Sequence, residues 1–176
     1  MESTEQLNTT DQRQNRLEKL KKLEEKGINA YPHIYKPDFT SALLNEKYKD
    51  LANEEQTNDV VKVAGRIKAI RNSGMFMDVY DTTGKIQIFS SLENLPEAEK
   101  EILALLDIGD FVGVEGTVRR TKRGELSVNT QHLTVLSKAL LPLPEKFHGL
   151  TDTDTKYRHR ELDMIVNPET IQTLIK

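Results

Sequence analysis

A change of hydrophobic period in the middle of the chain constrains its fold more than any other feature. From Val60 apolar positions recur every second residue: Val61, Val63 and Gly65 alternate with Lys62, Ala64 and Arg66, and the run continues to about Arg71. A period of two belongs to a strand with one face buried. Asn72-Ser73-Gly74 and Asp81-Thr82-Thr83-Gly84 are tight-turn sequences, and they set off Met75–Tyr80 and Lys85–Phe89 as the second and third strands of a meander. Leu95–Leu106, rich in Glu and Leu with Pro96 near its first turn, reads as a helix ended by Ile108-Gly109-Asp110. Phe111–Arg119 and Leu126–Leu136 are two further strands joined through Thr121-Lys122-Arg123-Gly124. Three strands, a helix, then two strands is the layout of a mainly β protein, a five-stranded Greek-key OB-fold barrel with a helix between strands 3 and 4. Gly65, Gly113 and Gly116 would allow the bends that closure requires. An SH3-like barrel or an open sheet leaves a helix of this length at this point unexplained.

The flanking sequence is of another kind. The first ten residues are polar with nothing to bury, so disorder is expected there. Asp11–Lys26 is helix-forming, with Leu17, Leu20 and Leu23 on one stripe and Gly27 as a stop, which gives the barrel an amino-terminal helical extension. Its basic residues (Arg13, Arg16, Lys19, Lys21, Lys22, Lys26) slightly outnumber its acidic ones, and a solvated helix docking three leucines is favoured over a nucleic-acid contact. Tyr31–Pro37 carries two prolines and should cross the surface extended. A short helix is expected over Ala42–Leu51 and a polar linker over Asn53–Asp59. Beyond the barrel, Leu140-Leu141-Pro142-Leu143-Pro144 is a stiff connector, and the final residues begin another helix. The domain expectation is therefore an extension and linker at 1–58, the barrel at 59–140, and a linker with the start of a truncated domain at 141–176.

Composition removes whole classes of function. The chain has no Cys, which excludes thiolate metal sites, disulfides and cysteine nucleophiles, and it has neither a membrane-length apolar run nor a secretory signal. A cytoplasmic protein is expected, with no membrane partner. The net charge is −3, so any nucleic-acid binding must be local. There is no GxxxxGK loop, no GxGxxG after a strand and no GxSxG elbow, and His33, His132, His148 and His159 lack metal-ligand spacing. On these residues the chain is a binding module with no catalytic residues, no metal site and no cofactor of its own.

The barrel face offers more. OB-folds bind single strands on the sheet formed mainly by strands 1 to 3, by stacking bases on aromatic rings and reading base edges with polar side chains. With period two, Met75, Met77 and Val79 form the better core stripe, which leaves Phe76 outward with Asp78 and Tyr80. In strand 3, Gln87 falls on the polar face, where its amide could pair with a base edge. An ordinary surface Phe beside an ordinary exposed Gln is an equal reading of the residues alone. Basic residues cluster at Arg66–Arg71 and Arg119–Arg123, making Arg66, Lys68 and Lys122 candidate contacts to a nucleic-acid backbone, and a local rim of this kind suits a short loop.

Several segments together resemble the amino-terminal part of class II lysyl-tRNA synthetases. They are Arg16-Leu17-Glu18-Lys19-Leu20, Gly27-Ile28-Asn29-Ala30-Tyr31-Pro32, Val63-Ala64-Gly65-Arg66-Ile67 and Gly84-Lys85-Ile86-Gln87-Ile88. The series continues with Asp107-Ile108-Gly109-Asp110, Val114-Glu115-Gly116-Thr117, Thr121-Lys122-Arg123-Gly124-Glu125-Leu126-Ser127, the run from Leu141 to Leu150, and Tyr157-Arg158-His159-Arg160-Glu161-Leu162-Asp163. The resemblance implies an anticodon-binding OB domain in which the middle anticodon base, a uridine, is stacked by Phe76 and read by Gln87, with Glu125 and Arg71 nearby. The turn before Phe76 is two residues shorter than in many relatives, which loosens the match at Arg71. Tyr157, Arg158 and Arg160 match a segment for domain and dimer packing. The implied parent is a homodimeric lysine-tRNA ligase that uses ATP and Mg²⁺ and takes tRNA(Lys) as its partner; its catalytic motifs would lie beyond Lys176, so the chain alone is expected to be inactive. The alternatives are the same region of an aspartyl or asparaginyl enzyme, or a stand-alone single-strand-binding OB protein, against which the tail at Tyr157–Lys176 argues.

Overall fold

The computed structural model describes residues 2–93, 95–143, 150 and 152–175. They form two compact units, Met1–Leu140 and Leu141–Lys176. The first contains α1 (Glu2–Glu25), α2 (Ser41–Lys47), β1 (Gln56–Arg71), β2 (Phe76–Tyr80), β3 (Lys85–Phe89), α3 (Glu97–Leu105), β4 (Phe111–Arg120) and β5 (Leu126–Ser137). The five strands close into a barrel in the order β1-β2-β3-β5-β4, and only the β3/β5 pair is parallel. This is the OB-fold arrangement expected from the strand pattern, with α3 between β3 and β4.

Closure is possible because β1 is long enough to serve two neighbours. Its residues Gln56–Arg66 pair with β4 and Arg66–Arg71 pair with β2, with a register shift between Ile67 and Ala69 where the strand turns from one to the other. The inward stripe is apolar throughout: Val61, Val63, Ile67, Met77, Val79, Ile86, Ile88, Val112, Val114, Val118, Val128 and Val135 are all buried. Two glycines mark close approaches. A Cβ at Gly116 would stand 2.0 Å from the Asn129 carbonyl oxygen, next to a register shift between Glu115 and Gly116, and a Cβ at Gly113 would stand 2.4 Å from the Tyr35 ring. Tyr35 therefore lies flat against bare β4 backbone, and burial, aided by the Glu115 carboxylate, pushes its phenol up to about 12.

Three boundaries differ most from the sequence reading; those of the other strands and of α3 shift by two residues at most. α1 begins at Glu2, not Asp11, because the polar residues Glu2–Thr10 continue the helical turns that the leucine stripe anchors further along. α2 stops at Lys47, and the carbonyls of the segment that follows it are covered by Arg120, whose Nη2 donates to the Tyr48 carbonyl (2.8 Å) and Nε to that of Leu51 (2.7 Å). β1 begins at Gln56 inside the expected linker, where Gln56 Nε2 donates to Thr117 Oγ1 of β4 (3.2 Å).

The extension is held to the barrel by a polar node. Lys138 and Asp110, both completely buried, pair at 2.7 Å, and Lys138 also reaches Asp107 at 2.5 Å. Asp107 takes a second cation from α1, Lys19, at 2.6 Å. Asp110 is filled further by the Asp107 and Ala139 backbone N–H groups (2.7 and 2.8 Å). Arg16, one turn before Leu20, donates to the carbonyls of Ala139 (2.8 Å) and Ile108 (3.1 Å), and Tyr31 Oη donates to that of Lys138 (3.0 Å). Leu23 is fully buried and Leu20 packs on the core, so two of the three expected leucines dock α1, Leu17 is not part of the core cluster, and buried Arg16 is added to them.

The second unit comprises α4 (Thr153–Arg158), α5 (Arg160–Val166) and α6 (Pro168–Ile175). Asp152 caps α4 through Thr155 N–H (2.8 Å), and buried Asp163 accepts from Asn167 Nδ2 (2.7 Å) and Thr170 Oγ1 (3.0 Å), joining α5 to α6. The expected connector and the Leu141–Leu150 match fall in part on 144–149, outside the described residues. Among the described residues no helix is long and apolar enough to cross a membrane.

Replacing Lys138 with Met should strand the buried Asp110 carboxylate and cost about 3–5 kcal/mol of stability, read from the urea midpoint. Burial pushes the Asp107 carboxyl up, but the hydrogen bonds from Lys138 and Lys19 outweigh it and hold its pKa below the usual carboxylate value. A carboxyl depressed on folding stabilises above its unfolded pKa of about 4 and loses that contribution as the pH falls below it. Asp107→Asn should therefore flatten the acid limb of the stability profile; an unchanged limb would contradict this role.

Candidate nucleic-acid interface

The hairpin registers lay a row of polar side chains across the outer face of the barrel. Met77 and Val79 point inward and are buried, so Phe76, Asp78 and Tyr80 lie on the opposite face of β2, as the period of two indicates. Asp78 is the cross-strand partner of Gln87, Gln87 of Ser127 in β5, and Ser127 of Arg119 in β4. The adjacent row runs through Phe76, Phe89 and Asn129.

Gln87 is on this face but is not an ordinary exposed amide. It is 6% exposed, its Nε2 donates to Glu125 Oε2 at 2.9 Å, and its Oε1 accepts from Ser127 Oγ at 2.8 Å. A carboxylate can only accept, so the NH₂ end must face Glu125, and the amide orientation is fixed by chemistry. One N–H and one lone pair of the amide are left over for a ligand. Glu125 is itself held by the Thr121–Glu125 turn, where Thr121 N–H donates to its carbonyl (2.9 Å) and its own N–H donates to Thr121 Oγ1 (3.0 Å). Its other carboxylate oxygen takes Lys85, and that hydrogen bond raises the Lys85 ammonium above its ordinary pKa.

Arg71, at the end of β1, grips Asp78 in a two-pronged pair (Nη1–Oδ2 2.9 Å, Nη2–Oδ1 2.8 Å), and these hydrogen bonds raise its pKa further. The turn that follows, Asn72-Ser73-Gly74, is a 3₁₀ turn with left-handed backbone at all three residues (φ 50°, 54° and 96°), which brings Phe76 back opposite Arg71. The Phe76 ring is half-buried, 5.0 Å from the Phe89 ring at a tilt of 47°, and the Arg119 guanidinium caps Phe89 at 4.7 Å. The Phe76 ring is thus flanked by a second ring, which a cation covers in turn.

Arg71, Phe76, Asp78, Lys85, Gln87 and Glu125 line one open groove of about 630 Å³. Lys122, Arg119 and Arg123 line it as well. Its volume lies within the usual range of ligand-binding clefts. Of the residues singled out from sequence, the fold gathers Phe76, Gln87, Glu125, Arg71 and Lys122 here. Arg66 and Lys68 do not line the groove. Arg66 lies over the Phe111 ring (4.3 Å) and donates to the Gly109 carbonyl (3.1 Å), with burial lowering its pKa, and Lys68 lies over the Tyr80 ring (4.7 Å). Asp78, Lys85, Ser127 and Arg119 were not singled out as site residues. The period of two placed Asp78 on the right face, but its pairing with Arg71 depends on the hairpin register. Among the described residues no three His, Asp or Glu side chains converge to hold a metal ion.

A closed five-stranded barrel with a ring, an oriented amide and a basic rim on its outer face defines an OB-fold nucleic-acid-binding domain, and residues 61–136 match the sequence family described as the OB-fold nucleic acid binding domain. The chain is 51% identical over 92% of its length to a lysine-tRNA ligase of Sinorhizobium medicae, of which it spans 32%. It is 48% identical over 96% of its length to the enzyme of that name from Rhizobium leguminosarum bv. trifolii (34% spanned), and 44% identical over 91% to that of Dehalococcoides mccartyi (33% spanned). The chain thus carries an anticodon-binding OB domain like that of lysine-tRNA ligases and spans about a third of the length of these relatives.

Glu125→Gln removes the anion that holds Lys85, so the Lys85 ammonium should titrate at lower pH in that variant than in the parent, measured by NMR of the side-chain nitrogen. Equal titration midpoints would contradict the pairing.

Proposed function

We propose that this chain is the tRNA-reading part of a lysine-tRNA ligase and that its groove receives the middle base of the tRNA(Lys) anticodon. The observation that carries the reading is the Gln87 amide, oriented from both ends beside the Phe76 ring. A uracil edge offers N3–H between two carbonyl oxygens, and the spare lone pair and spare N–H of Gln87 complement one such donor–acceptor pair. Phe76 supplies the stacking surface, Arg71 and Glu125 flank the base, and Lys122 meets the sugar-phosphate strand. The same reading gives residues 1–58 as an extension, 59–140 as the reader and 141–176 as the approach to a catalytic region.

The whole protein would be a cytoplasmic homodimer that joins lysine to tRNA(Lys) with ATP. ATP and Mg²⁺ are not accommodated by the described residues, which offer neither a converging carboxylate set for the ion nor a phosphate-cradling loop. The chain by itself should catalyse no lysine-dependent exchange of pyrophosphate into ATP above a blank.

Binding of a lysine anticodon stem-loop tests the reading. Phe76→Ala should lose about 1–3 kcal/mol through lost stacking, with the fold intact by circular dichroism. Gln87→Ala should lose discrimination at the middle base more than total affinity, because an edge contact reads sequence while phosphate contacts position. Of the basic residues that line the groove, Arg71 and Lys85 are already paired with carboxylates, so affinity should fall with salt on a shallow log–log slope of about −0.7 per phosphate. A steep slope with indifference to the middle base would identify a general single-strand binder instead.

A further inference from the structure

A carboxylate in a groove built for RNA works against the attraction of the polyanion, and Asp78 is such a group. Its side chain is 12% exposed, it lies directly across from Gln87, and both of its oxygens are taken by Arg71. The remaining anion of the groove, Glu125, is already explained by orienting Gln87. Arg119, Lys122 and Arg123 line the same groove, and among the described residues none of them forms a salt bridge with a carboxylate. The groove therefore has a charge-neutralised side around Gln87 and a side with uncompensated cations.

We propose that Asp78 is a specificity-determining residue: by occupying the Arg71 fork it withholds Arg71 from phosphate and keeps it at the base edge beside Gln87, leaving the strand to Arg119, Lys122 and Arg123. A bare guanidinium prefers a phosphate, which it grips with two parallel hydrogen bonds at any nucleotide. Such a contact adds affinity without sequence information. With the fork filled, Arg71, which lines the groove, can offer a ligand only its remaining N–H groups. Asp78 thus lowers overall attraction and raises the share of binding that depends on base identity. This proposal rests on the anticodon-reading function given above.

The near-isosteric Asp78→Asn tests it, with matched and middle-base-substituted stem-loops titrated at two salt concentrations. The variant should bind both loops more tightly at low salt. Its salt slope should steepen by about 0.7, the value of one added phosphate on a single strand. The ratio of matched to substituted affinities should fall by about tenfold, within the usual scale of a two-pronged base contact. Adding Arg71→Gln to Asp78→Asn should remove both the gain and the extra slope, and this double variant separates a released Arg71 from a general loss of negative charge. A parent that discriminates while Asp78→Asn keeps the parent's slope and ratio would overturn the proposal alone and leave Asp78 a strand-pairing residue. Weaker binding by Asp78→Asn at an unchanged slope would also overturn it. A parent indifferent to the middle base would overturn the anticodon reading and this proposal together.

Discussion

The buried Lys138–Asp110 pair is the interaction on which the rest of the first unit depends. Asp110 ends the turn into β4, Lys138 follows β5, and Asp107, one turn before Asp110, reaches Lys19 of α1. Two charges removed from water are tolerable only when their hydrogen-bonding capacity is filled, and here the Ala139 and Asp107 N–H groups supply what the ion pair leaves over. The node fixes where β5 leaves the barrel. It also draws α1 onto that exit through Arg16, so the helical extension is an integral part of the unit although most of its surface is polar.

At the groove the same physics is used for another end. Gln87, Glu125, Lys85, Arg71 and Asp78 satisfy one another before any ligand arrives, so ordering their side chains is done at folding and not at binding. What the groove presents is a ring braced by a second ring, an amide with a defined direction, and cations without carboxylate partners among the described residues. A site organised in this way loses little side-chain entropy on binding, which favours discrimination over bulk affinity.

The fold was largely legible because each strand carries its own alternation and each turn its own chemistry. Val61–Val63, Met77–Val79 and Ile86–Ile88 announce an inward face locally, and Pro96 and Gly109 bracket the helix between strands 3 and 4. Phe76 and Gln87 could be placed on the outer face for the same reason. What could not be read was everything that depends on which strands meet. Gln87 is polar by local pattern, yet it is buried because Glu125 and Ser127, far along the chain, close over its two ends. Asp110 and Lys138 look like ordinary surface charges in sequence, and only the return of β5 beside the turn into β4 removes both from water. The helix start at Glu2 was missed because a polar segment with no face to bury gives no periodic signal.

The parallel seam between β3 and β5 has a consequence for how the barrel yields. It is the shortest ladder in the closed sheet, pairing Gln87, Ile88 and Phe89 with Ser127, Val128 and Asn129, whereas β4 and β5 are paired along most of their length. A barrel opens where the fewest hydrogen bonds must part, and that place is directly beneath the groove. A nucleotide seated as proposed between Phe76, Gln87 and Glu125 would touch both lips of this seam. Recognition would then act mechanically as a clasp, slowing amide exchange at 87–89 and 127–129 more than anywhere else in the barrel.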